Sequence, residues 1–324
     1  MNGVSVKIYT HGRDLPAGLM EENFFHSPTL FSMLEASPRQ SPRMVVATDG
    51  EGRTVGQMLA SIRWRRSLFP PFLFRHCRIY GEGTFPSEPD HEVFRLMLQA
   101  LTNQLGHGVL YIELSNLSQK MFAYKELRQT GFFPVRWMSI HNSLHSRTPE
   151  ERISERLQQT IDTAYEKGVE TCEVESEADF KAFSKLLREH NILKPKRFIP
   201  ADEFFISLRD KGHGRLFVTR HKGHVIGCSA CAYSQNNCYL WYSAFRRKSF
   251  ALLHPAEVTI WHAIKDAHRR GYDHIFFMDV GLPYRRNRFR DFILRFGGKP
   301  TSTFRWFRCS IGWLNSLLSW LYRD

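Results

Sequence analysis

The chain runs through one order of elements twice, and that order constrains its fold more than any single motif does. In the first half, Val4–Tyr9 reads as a strand and Pro28–Ala36 as a helix capped near Ser27. Strands Arg43–Thr48 and Thr54–Arg63 flank the turn Asp49-Gly50-Glu51-Gly52, and Cys77–Tyr80 is extended. Val93, Leu96, Met97 and Leu101 give Asp90–Leu105 helical spacing. Strand Val109–Leu114, a short helix stopped by Gly131 and strand Arg136–Ser143 complete the half. The second half repeats the scheme: strand Glu170–Glu175, helices Ser176–Asn191 and Ala201–Asp210, and strands Arg215–Arg220 and His224–Ser234 across Lys222-Gly223. Strand Asn237–Ala244, a long helix Pro255–Arg270, strand His274–Asp279, a short helix Arg290–Phe296 and strand Thr301–Cys309 follow. No close residue-level repeat accompanies the repeated order.

These elements predict an α/β protein with mixed sheets. The expected division is a domain over 1–148, a connecting helix over 149–169 opened by Pro149 and closed by Gly168, a second domain over 170–310, and an amphipathic tail over 311–324. A chain of 324 residues is long enough for two cores.

Charge is unevenly spread. Of the formal +13, most lies in residues 239–324, which carry 15 Lys and Arg against 6 Asp and Glu. Arginine dominates that excess, and its planar fork suits phosphate and carboxylate. An anionic, phosphate-bearing substrate is therefore the expected partner, with tRNA or an anionic membrane surface as further options. The six cysteines are scattered. Cys228 and Cys231 lie in a strand, so a spacing of three points them to opposite faces, and no second Cys or His pair completes a zinc set. No metal is expected. The N-terminus reads as a strand and turn without the apolar core of a signal peptide, so a cytoplasmic location is expected, with the inner face of the membrane as a further option. Two segments resemble interfacial anchors: 63–75, which interleaves arginines with Trp64, Phe69, Phe72 and Phe74, and 311–322, rich in Trp and Leu.

The stretch 276–299 concentrates chemistry. An apolar strand delivers Asp279 to a Gly-Pro turn, four arginines follow (Arg285, Arg286, Arg288, Arg290), and an amphipathic segment ends in Phe296-Gly297-Gly298. With Phe25-x-Ser27-Pro28, Arg78-Ile79-Tyr80-Gly81, Tyr239-Leu240-Trp241-Tyr242-Ser243, His254-Pro255 and the Arg290-Asp291-Phe292 block, the chain resembles the FemAB-like tandem GNAT acyltransferases. The resemblance implies two GNAT-like domains that move an acyl or aminoacyl group onto an amine of an anionic envelope precursor. The implied donor is acyl-CoA, an acyl-carrier protein or aminoacyl-tRNA. The chain lacks the charged helical hairpin of some peptidoglycan-bridge enzymes. It also lacks a clear R/Q-x-x-G-x-G/A phosphate loop, whose nearest equivalent is Arg246-Arg247-Lys248-Ser249.

Asp279 at a strand end is the candidate general base, with pairing to Arg285 or Arg286 as the structural alternative. Arg246, Arg247 and Lys248, between a strand and a helix N-terminus, are candidates for holding phosphate. Arg285 and Arg286 are candidates for a second anionic group, Tyr242 and Ser243 for lining the site, and His190 and Lys194 for substrate contact. No Ser-His-Asp or Cys-His order stands out, so direct transfer is expected over a covalent intermediate. The competing class is a non-catalytic GNAT-like module that binds RNA or anionic lipid.

Overall fold

The computed structural model describes residues 3–67, 70–117, 122–192, 198–278, 280–283 and 286–322. The chain divides into two compact units, residues 1–137 with 302–324, and residues 138–301. Residues 302–310, grouped with the second domain in the sequence, thus belong to the first unit.

The first unit contains β1 (Ser5–Tyr9), α1 (Pro28–Glu35), β2 (Gln40–Thr48), β3 (Thr54–Arg66), β4 (Leu73–Tyr80), α2 (His91–Leu105), β5 (Tyr111–Ser115) and α3 (Tyr124–Gln129). The first part of β6 (Phe133–Ser143) belongs to it as well. β1 to β4 form an antiparallel run, and β4 pairs with β5 in parallel, His76 opposite Tyr111 and Tyr80 opposite Ser115. A parallel pair needs a crossover, and α2 supplies it. Its start is fixed by Asp90, whose carboxylate accepts from the Glu92 and Val93 amides at 2.7 and 2.9 Å. Its buried face, Val93, Phe94, Met97, Leu98 and Leu101, packs with Val45, Met58, Ile79, Ile112 and Trp306 into one core.

The second unit takes the rest of β6, then α4 (Glu155–Glu166), β7 (Val169–Glu173), α5 (Glu177–Asn191), α6 (Asp202–Asp210), β8 (Gly214–His221), β9 (His224–Ser234), β10 (Asn237–Phe245), α7 (Pro255–Arg269), β11 (His274–Phe277) and α8 (Arg288–Leu294). β7 to β10 are antiparallel, and β10 pairs with β11 in parallel. The expected single helix over 149–168 is broken. Glu150–Arg152 form one 3₁₀ turn, then Ser154 turns extended and its hydroxyl accepts from the Leu157 amide at 3.3 Å, which restarts the chain as α4.

The last strand, β12 (Lys299–Cys309), and the tail helix α9 (Gly312–Leu321) complete the chain. Here the repeated order gains a twist that the sequence did not reveal. β12 pairs with β5 of the first unit, Arg305 opposite Ser115 and Cys309 opposite Tyr111. β6, from the first half of the chain, pairs with β11 of the second, His274 opposite Ser143 and Phe277 opposite Ile140. Each half gives its closing strand to the other unit.

Candidate functional site

In the second unit the parallel β10–β11 ladder ends at Leu240 and Phe277, while β10 continues to Phe245 along β9. A register shift between Leu240 and Tyr242 marks the departure. Bulges of this kind re-aim side chains beside sites. Trp241 and Tyr242 both lean toward α6, their rings 5.5 and 5.4 Å from Phe204 and Phe205. Tyr242 and Ser243 are both buried in the core of the second unit.

At the end of β10 several side chains converge. Arg246 donates to Glu189 of α5 at 3.1 Å, and the His190 ring lies 6.2 Å from that of Phe245. The Arg247 guanidinium sits 4.2 Å from the Phe292 ring centroid and 5.3 Å from that of Phe245. Partial desolvation against these rings lowers the Arg247 pKa, and Glu257 in the first turn of α7 opposes that change. Guanidinium remains charged under any ordinary condition. Arg295 donates to Glu257 at 3.3 Å. Lys248 is exposed beside them. Four cations thus stand against two carboxylates where α7 presents its N-terminus, an arrangement that favours an anion. Glu189, Glu257, Phe292 and Arg295 were not among the residues expected here. Phe292 and Arg295 belong to the Arg-Asp-Phe…Phe-Gly-Gly block, which is the signal that marked the region.

The block also has a structural purpose. Gly297 has φ +78°, and a Cβ there would lie 2.5 Å from the Arg152 carbonyl oxygen. A Cβ on Gly298 would lie 2.5 Å from Ile140 Cγ2. The Asn287 side chain caps α8 through the Phe289 and Arg290 amides and donates to the Val280 carbonyl at 2.9 Å, while Arg290 donates to the Leu282 carbonyl at 2.6 Å. Arg290 therefore fastens the loop that follows β11. Arg286 is exposed on that loop. Asp279, Arg285 and Lys194 lie outside the described residues.

A second polar cluster, unsuspected from the sequence, lies in the first unit. Glu113 on β5 is ion-paired with Arg78 on β4 and with Arg305 on β12, the latter at 3.0 Å, and lies 3.1 Å from His76 Nε2. Arg78 also donates to Ser115 at 2.8 Å, Arg63 to the Tyr80 hydroxyl at 3.2 Å, and Arg305 stacks 3.8 Å from Trp137. His76, Arg78, Glu113 and Arg63 are all buried. Burial, then the surrounding arginines, holds the His76 pKa well below the usual imidazole range, so it is neutral. The signal was strand alternation: Cys77 and Ile79 face the core, which sends His76, Arg78 and Tyr80 to the other face.

Residues 152–286, which contain the end of β10, the Arg246–Lys248 loop and α7, match the family described as "Acetyltransferase (GNAT) domain". Residues 152–286 thus form a GNAT-type acetyltransferase domain, within a chain that has a tandem GNAT-like fold. Among solved structures, the chain is similar to FemX (TM-score 0.64, 10% identity, covering 92% of this chain and 94% of that one). It is similar to the C-terminal domain of a putative lysylphosphatidylglycerol synthetase from Agrobacterium fabrum (TM-score 0.60, 10% identity, covering 91% of each). It is also similar to a tandem GNAT protein from the clavulanic acid biosynthesis pathway (TM-score 0.55, 10% identity, covering 94% and 99%). No curated protein matches the chain by sequence.

Proposed function

We propose that the protein transfers an acyl or aminoacyl group from a phosphate-bearing donor, a thioester or an aminoacyl-tRNA, onto an amine of an anionic cell-envelope precursor. The observation that carries this reading is the parting of β10 from β11 beside a cationic loop and a helix N-terminus. The donor's phosphates sit against Arg247, Lys248 and the start of α7, and its acyl arm runs along β10 past Tyr242 and Ser243. The acceptor amine attacks the acyl carbonyl carbon. The carbon–sulfur or carbon–oxygen bond then breaks, and the amine loses a proton to Asp279 or to water. Positioning and charge stabilisation supply most of the acceleration in such a transfer. The lysylphosphatidylglycerol synthetase named among the similar structures points to the same acceptor class.

The test offers acyl-CoA and aminoacyl-tRNA separately with amine-bearing lipid and peptidoglycan precursors, and follows donor loss and product mass. Arg247→Ala should raise the KM for the donor by about tenfold, the loss of one charge-assisted contact, with kcat little changed. Asp279→Asn should lower kcat by about 10²-fold or more while the circular dichroism spectrum stays the same. Full activity in Asp279→Asn would remove it as the base. Retention of RNA without consumption of either donor would favour the non-catalytic module instead.

A further inference from the structure

Two apolar segments of the first unit emerge from the same end of its sheet. β4 begins at Leu73 and sets His76 opposite Tyr111, the first residue of β5, which is in turn opposite Cys309, the last of β12. α9 starts three residues later. The β3–β4 hairpin and α9 are therefore neighbours, with β4 and β12 about 10 Å apart, two strand spacings. A row of rings ties them together: Phe74 to Tyr111 at 6.0 Å, Tyr111 to Phe307 at 6.2 Å, Phe307 to Phe133 at 6.1 Å, and Phe133 to Tyr322 at 5.8 Å.

α9 is fastened along one side. Asn315 Oδ1 accepts from the Cys309 amide at 2.8 Å, Asn315 Nδ2 donates to the Gly131 carbonyl at 3.0 Å, and Arg128 donates to the Ser319 hydroxyl at 3.2 Å. The other side presents Trp313, 71% exposed, Trp320, 63% exposed, and Leu317 and Leu321. Their spacing puts them on one helix face. Trp64, Phe72 and Leu73 on the hairpin are exposed as well. Arg66 is exposed beside them, and the Arg75 guanidinium lies 5.8 Å from the Trp64 ring centroid.

We propose that this end of the first unit docks on the surface of an anionic lipid bilayer. Charge complementarity decides the occupant. The apolar groups are interleaved with Arg65, Arg66 and Arg75 on a chain of net charge +13, and tryptophan with arginine suits the depth of anionic headgroups. α9 has ten residues, about 15 Å of helix, roughly half a hydrocarbon core. It lies on the surface, and among the described residues no helix is long and apolar enough to cross a membrane. The proposal is independent of which donor and acceptor the enzyme uses.

The experiment is co-sedimentation of the intact chain with phosphatidylcholine vesicles, with and without phosphatidylglycerol, at low and high salt. Expected is binding to the anionic vesicles that weakens as salt rises. Trp313→Glu with Trp320→Glu should weaken it at least about tenfold, given the apolar area withdrawn from the interface. Arg66→Ser with Arg75→Ser should weaken only the anionic contribution, by about fivefold per cation. Circular dichroism checks the fold of each variant, and light scattering gives its mass. The proposal is overturned if the wild-type chain ignores both vesicles, or if the tryptophan variant binds undiminished. A wild-type dimer that turns monomeric in the tryptophan variant, with no vesicle binding, would assign the face to a second copy instead.

Discussion

Lowering the pH from 7.5 to 4.5 should weaken the first unit through one side chain, His26. Its imidazole is fully buried, and Nδ1 accepts from the Leu59 amide at 2.9 Å. Nε2 in turn lies 3.1 Å from the Gly83 amide, so each ring nitrogen faces a backbone N–H, and only a hydrogen bond to the Tyr80 backbone favours the protonated ring. Full protonation would set an added N–H against a backbone N–H, and burial pushes the pKa down to about 3. The folded value lies below the unfolded 6.5, so the unfolded chain binds more protons between them. The stabilisation is complete above pH 6.5 and is lost as pH falls from there towards 3. Each pH unit costs about 1.4 kcal/mol, so about 2.7 kcal/mol is gone by pH 4.5. Other buried histidines add to the slope, so a variant must isolate this one. His26→Asn keeps an acceptor for Leu59 and removes the titration. It should be less stable than wild type at pH 7.5, and the gap should narrow by about 2–3 kcal/mol at pH 4.5. Hydrogen-exchange protection of the peptide containing Leu59, corrected for intrinsic rate, reads that gap in this unit alone. Parallel pH profiles for wild type and variant would refute the assignment.

Glu113→Gln should destabilise the first unit by about 3–5 kcal/mol, because it leaves the buried Arg78 and the partly buried Arg305 without the carboxylate they share. Exchange protection of β4 and β5 would report it, and a loss below about 1 kcal/mol would show that the cluster does not depend on Glu113. Gly227→Ala places a Cβ 2.2 Å from Thr259 Oγ1, a hydroxyl already held by the Pro255 carbonyl and Thr219, both at 2.6 Å. A cost of about 1–3 kcal/mol is expected in urea unfolding, and Thr259→Ala in the same chain should recover part of it.

Much of the fold was readable because local chemistry announces it. Asp90 before an apolar helical repeat, Ser176 before Glu177 and Asp179, and Lys222-Gly223 between two strands each act within a few residues. Failures were also local in cause. The 149–168 helix read as continuous because its charges suit a helix throughout, yet Ser154 could cap a new start and did. The candidate site was half legible. Clustered arginines before α7 were visible, whereas the partners that orient them, Glu189 and Phe292, come from elements 57 and 45 residues away from Arg246 and Arg247 respectively. The Glu113 cluster was hidden because its members come from three strands, each contributing one or two alternate positions to a shared face.

By itself the sequence determined which segments become strands and helices, that their order repeats, and where positive charge accumulates. Periodicity, caps and turn residues act over short range, and charge adds up wherever it stands. Only the tertiary structure decided which strands pair. β6 and β12 are both suited to close a sheet, and nothing in either names a partner. β6 joins β11 and β12 joins β5 because strand pairing is a contest among distant segments, settled by the register and packing of the assembled sheet. The same contest set the tail helix beside the β3–β4 hairpin, some 240 residues earlier in the chain, and so created a surface that neither segment specifies alone.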